Sequence, residues 1–214
     1  MKRTFENELE KCRVLIYGVQ ANPAIKERIA PVYPEERIAE GVSRYETTKA
    51  AAEDQSTEKE ESMAATKAFA DSRNSIHQSL IRARQAIRYF FKNDFRILKL
   101  LQMDQEVPAA YAAWKILAET TFKTALANAE VIEKLAVAGI SQDNINETLA
   151  LLTELEQQRL TAEKEDGEAQ QATMRKQEAL EELSAYCIDL RECLNLFFVG
   201  RDRQKLEEIG IIVK

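Results

Sequence analysis

The chain has 214 residues, and its 30 Lys and Arg against 36 Asp and Glu leave a net charge of −6, which favours solubility and disfavours wholesale binding to a phosphate backbone. Six glycines and four prolines are too few for turn-dense sandwiches or barrels, so an all-α protein with enough chain to bury a core is expected. No run approaches the ~18 apolar residues of a membrane helix, and the start, Met1 to Glu8, turns acidic where a secretion signal needs an apolar stretch, so the expected location is cytoplasmic.

The first predicted helix runs from Thr4 to Gln20, with Phe5, Leu9, Cys12, Ile16 and Val19 on one face. It resumes after Asn22-Pro23, where asparagine caps and proline takes the first helical position, and stops before Pro31. Tyr33-Pro34-Glu35-Glu36 opens the next helix, its two carboxylates favouring the positive helix end. Residues 52–62 then lack large apolar side chains. From Ile76 a seam returns in steps of four and three through Leu80, Ala83, Ile87 and Phe90, followed by a short apolar segment over 95–103. After Pro108 a helix carries Tyr111, Trp114, Ala118, Phe122, Ala125, Ala129 and Ile132 along one face. Gly139 stops it, Ile140 supplies the apolar residue usual after such a stop, and Ser141 is the N-cap of the next helix. Residues 161–171 again lack large apolar side chains, and a second seam and a short segment over 204–209 complete the chain.

That second seam repeats the first. Adding 107 to each seam position reaches Leu183, Cys187, Leu190, Leu194 and Phe197, apolar at all five places. Ile81, Arg84, Phe91 and Arg96 recur as Ile188, Arg191, Phe198 and Arg203, and Ile38 and Glu40 as Ile145 and Glu147, while the first helices find no clear ungapped partners. The reading is a tandem duplication, units 1–107 and 108–214, forming an antiparallel helical bundle. The middle of each unit admits two geometries: one helix of nearly sixty residues, about 85 Å long at 1.5 Å per residue, or a turn. Glu165-Asp166-Gly167 suits a turn better than its counterpart Glu58-Lys59-Glu60. The turn, which buries every seam, is the expectation.

Three segments, Pro34-Glu35-Glu36-Arg37-Ile38-Ala39-Glu40-Gly41-Val42, Gly167-Glu168-Ala169-Gln170-Gln171-Ala172-Thr173 and the tail Lys205 to Ile211, resemble a group of uncharacterised bacterial tandem-repeat helical proteins. The resemblance implies a helical fold and no activity. The first unit departs from the pattern, with Glu60 where Gly167 would align.

Chemistry is mostly excluded. Cys12, Cys187 and Cys193 read as buried free thiols of a reducing compartment rather than a disulfide. His77 is the one histidine, no CxxC occurs, and Asn74 stands where a di-iron Glu-x-x-His would need its glutamate. No serine sits in a Gly-x-Ser-x-Gly turn and the glycines are too dispersed for a phosphate loop, so no catalytic residue, metal or cofactor is expected. An enzyme would have to work with carboxylates, tyrosines and lysines on helices alone. The one charged feature is a basic run from Arg73 to Lys99, in which Arg84, Arg88, Lys92 and Arg96 step by four along a helix. The related helix carries Glu178, Glu181, Glu182, Asp189 and Glu192 instead, so the two are expected to pair with each other or across a dimer. The function expected is a protein-protein interaction or scaffold module, with a protein partner or self-association. The alternative is binding of nucleic acid or another anionic partner through Arg84, Arg88, Lys92 and Arg96.

Overall fold

The computed structural model of the chain describes residues 4–211, so residues 1–3 of the acidic start lie outside the described residues. Those described are helical, with no strand among them: α1 (Phe5–Ala21), α2 (Pro23–Ile29), α3 (Glu35–Phe90), α4 (Phe95–Leu100), α5 (Tyr111–Leu126), α6 (Ala129–Val137), α7 (Gln142–Phe197) and a 3-10 segment, Gly200–Ile209. No helix among them is long and apolar enough to cross a membrane.

The helix ends follow local chemistry. Thr4 caps α1, Asn22 Oδ1 accepts from the Ile25 amide at 3.2 Å with Pro23 opening α2, and Ser141 and Asn144 bond reciprocally at the start of α7. Gly139, at φ +73°, ends α6, and the Ile140 amide reaches back 2.9 Å to the Leu135 carbonyl, the backward bond that satisfies a helix C-terminus. The single helix expected after Pro108 is two, because Asn128 Oδ1 accepts from the Val131 amide and starts α6 afresh. The buried residues of α6 are accordingly Val131 and Leu135, not Ala129 and Ile132.

Neither expected mid-unit turn forms. Glu58-Lys59-Glu60 and Glu165-Asp166-Gly167 are both helical, and α3 and α7 are each 56 residues long. The reason is visible in the exposure pattern: Gln55, Glu58, Ser62, Ala65 and Phe69 are buried or half-buried, continuing the seam in steps of three and four with small and polar residues. No proline interrupts them, and the intervening Glu, Lys, Gln and Ala favour helix.

Compact packing divides the chain differently from the halves 1–107 and 108–214. One unit holds the residues before Ser62 together with those after Glu165, and the other holds Ser62–Glu165. The first packs α1 and α2, with Leu15, Ile16, Val19, Ile25 and Ile29, against Ile38 of α3, Leu183, Leu190 and Leu194 of α7, and Leu206. The second packs Trp114, Phe122, Val131 and Leu135 against Ile76, Leu80 and Ile87 of α3, Ile145 and Leu152 of α7, and Ile97 of α4. Ile87 and Leu194, the midpoints of the two predicted seams, are each 0% exposed. Fully burying such a side chain contributes about 1.5–3 kcal/mol.

Candidate functional site

The structure splits the basic stripe in two. Arg84 is 1% exposed, and its Nη2 donates to the carbonyls of Gln102 and Gln105 at 3.1 and 2.6 Å. Arg88 donates through Nε and Nη2 to the Met103 carbonyl at 3.2 and 2.7 Å. Residues 101–107 are irregular, with Gln102 at φ 55°, so their carbonyls have no helical donors and take arginine instead. Burial, reinforced by nearby Arg88, pulls the Arg84 pKa below the usual guanidinium value. Lys92 and Arg96 are exposed, and the bonds to that loop come from Arg84 and Arg88 alone among the four.

The expected pairing of basic run with acidic counterpart takes another form. The two segments fall in different compact units. The acidic one finds its cations on the first part of α3, Arg37 bonding Asp189 at 2.6 Å and Arg44 bonding Glu182 at 3.1 Å. The basic run turns to backbone carbonyls, Arg73 donating to Ala109 and Arg82 to Ala138.

Other ionisable side chains also serve the packing. Trp114 is 1% exposed, and its indole N–H donates to His77 Nδ1 at 3.1 Å, so the one histidine satisfies a buried donor. The Tyr111 hydroxyl donates to Glu156, which also accepts from Lys115 and Arg159 and ties α5 to α7. Burial, then that hydrogen bond, pushes the Tyr111 phenol up to about 12, while the Lys115 and Tyr111 bonds hold Glu156 below the usual carboxylate value. In the other unit the Tyr33 hydroxyl donates to Asp189, and the Tyr186 hydroxyl donates to the Arg37 carbonyl at 2.9 Å.

The ends of the long helices carry exposed apolar side chains at matching places. Tyr89 is 72% exposed at the end of α3 and Leu196 is 70% exposed at the end of α7, followed by half-buried Phe90 and Phe197 and by buried Phe91 and Phe198. Phe91 belongs to the same buried core as Ile97 and Leu101 within its own unit. Phe95 and Leu100 nevertheless remain exposed there, as does Val199 beyond α7.

Cavities differ between the units for a readable reason. In the first, Gly41 of α3 leaves room for the Tyr186 ring of α7, on which a Cβ would fall at 2.4 Å. The residues 107 places away are Thr148 and Ser79, and both line an open cavity of about 430 Å³ in the second unit, together with Ser75, Arg82 and Asn144. The first unit has a larger groove, about 740 Å³, beside Phe5, Gln55, Met174 and Leu180, where Lys176 Nζ lies 4.2 Å over the Phe5 ring.

The three cysteines are free and buried. Cys12 of α1 and Cys187 of α7 line one small cavity, a juxtaposition the sequence reading missed because it assigned Cys187 to the seam without placing α1 against it. Comparison with known proteins finds no matching family model, no matching curated protein and no matching solved structure.

Proposed function

We propose that the chain is a non-enzymatic helical module, built from two tandem related sets of helices that pack antiparallel, and that it binds a protein partner or a second copy of itself. The observation that carries the reading is the pair of exposed apolar helix ends, Tyr89 with Phe95 and Leu196 with Val199, each between 65% and 76% exposed. Scattered exposed apolar residues are ordinary, but Tyr89 and Leu196 stand at equivalent positions at the ends of the two long helices, and each is followed within six residues by a further exposed apolar side chain, which supports a surface to be covered. The tandem relation is supported by helix bounds: α3 and α7 begin and end 107 residues apart (35 against 142, 90 against 197). The antiparallel reading is supported by contacts in which numbers rise on α3 as they fall on α7, Arg37 meeting Asp189, Arg44 meeting Glu182 and Asp54 meeting Arg175. The non-enzymatic reading rests on Arg84, His77, Tyr111 and Glu156 being engaged in packing. With Arg84 and Arg88 bracing residues 101–107, binding of an anionic partner would depend on Lys92 and Arg96, which makes it the weaker reading.

Light scattering of the full chain, alongside partner capture, tests the proposal. A defined oligomer or a recovered partner that is lost on Tyr89→Ser with Leu196→Ser supports it. A strict monomer that captures nothing contradicts it.

A further inference from the structure

Cys12 and Cys187 are 5% and 2% exposed, 175 positions apart in sequence, and brought together by α1 and α7 in the core of one compact unit, on the wall of the same small cavity. They are not sealed. A cavity of about 130 Å³ reaches both, lined also by Glu8, Lys11, Ser184 and Arg191. Water occupies roughly 30 Å³ in the liquid, so a peroxide molecule fits. Two cations and a serine against one carboxylate make the mouth favourable to a developing anion. We propose that Cys12 and Cys187 are a reversible dithiol–disulfide pair, oxidised by a hydroperoxide entering this cavity.

The roles divide by environment. The neighbouring Cys187 thiol, then Arg191 and Lys11, draw the Cys12 thiol down toward ionisation against the opposing effects of burial and Glu8, while Cys187 is held protonated. Thiolate is the reactive form, so Cys12 attacks. Its sulfur bonds the distal peroxide oxygen as the O–O bond breaks, giving a sulfenic acid and an alkoxide or hydroxide that takes up a proton. The Cys187 sulfur then attacks the Cys12 sulfur. The S–S bond forms, the S–O bond breaks, and the hydroxyl leaves as water with the Cys187 proton. Two thiols have lost two electrons to the peroxide, and a thiol reductant reverses the exchange. Cys193 is buried on the same helix but has no thiol partner among these contacts, and burial raises its pKa.

The test is peroxide treatment of the folded full-length protein, then unfolding, alkylation of remaining thiols and peptide mapping. The expected result is loss of two alkylatable thiols, a Cys12–Cys187 cross-linked peptide that disappears on reduction, and alkylated Cys193. Cys193→Ser should oxidise as the unmodified chain does, and Cys187→Ser should leave a sulfenic acid on Cys12 that dimedone traps. Three alkylated thiols after peroxide, or a cross-link through Cys193, overturns the proposal. The map of the unmodified chain decides even if a variant fails to fold.

Discussion

Gly41 and Gly167 both lie inside long helices and meet opposite surroundings. A Cβ at Gly41 would fall 2.4 Å from the Tyr186 ring, which is pinned by its bond to the Arg37 carbonyl, whereas nothing lies within 4 Å at Gly167. Gly41→Ala should therefore lower unfolding free energy by about 1–3 kcal/mol in a urea titration. Gly167→Ala should raise it by about 0.5–1 kcal/mol, because alanine restricts the unfolded chain and favours helix. Arg84 offers a similar contrast with its exposed neighbour on the stripe. Arg84→Ala removes the donor of two carbonyls and should destabilise by about 3 kcal/mol, while Lys92→Ala should stay within about 0.5 kcal/mol. For Tyr111 the sign is set by a folded-state pKa above the ordinary 10.0: its contribution is complete below pH 10 and is lost as pH rises toward about 12. An ultraviolet titration of the folded protein should show a phenol ionising near pH 12 that Tyr111→Phe removes. At this scale the core was legible, since the three-and-four spacing located Ile87 and Leu194 without reference to any partner. Arg84 was not, because its burial depends on residues 101–107 folding back over α3, which helical spacing does not encode.

Helix ends were readable where a side chain and a backbone constraint coincide. Asn22 stands before Pro23, and Gly139 before an apolar residue and Ser141, and each pair marks a boundary in the structure. Asn128 has no such companion, and the break between α5 and α6 went unseen although its capping bond is the same as that of Asn22. The long helices were misread for a different reason. Counting only large apolar residues makes 52–62 and 161–171 look like interruptions, whereas small and polar side chains such as Ser62, 9% exposed, and half-buried Ala162 and Ala169 continue the inward-facing seam. Glu60→Pro distinguishes the two geometries. Glu60 is exposed in the middle of α3, so proline there should cost about 3 kcal/mol or more through the lost helical bond and ring clash. A turn would have accepted it with little change in the denaturation midpoint.

Taken whole, the buried positions of the first helices coincide at a spacing of 106, one residue short of the 107 at which those helices found no partners. The buried residues Cys12, Leu15, Ile16, Val19, Ile25 and Ile29 recur 106 places on as Ala118, Thr121, Phe122, Ala125, Val131 and Leu135, every one of them buried. From Tyr33 and Ile140 onward the spacing is 107. What no periodicity could show is which segments share a core, because identical seams can pack within a sequence half or be exchanged between halves. Each compact unit here draws on both halves, with the seam of one long helix buried against the start of the other. This exchange is the central claim, and its most direct test is thermal unfolding, followed by circular dichroism, of two separately expressed fragments, 62–165 and 1–107. The account expects 62–165, which contains a complete core, to melt in one cooperative transition, and 1–107 to show none as a monomer. A cooperatively melting monomer of 1–107 beside an unfolded 62–165 would contradict it.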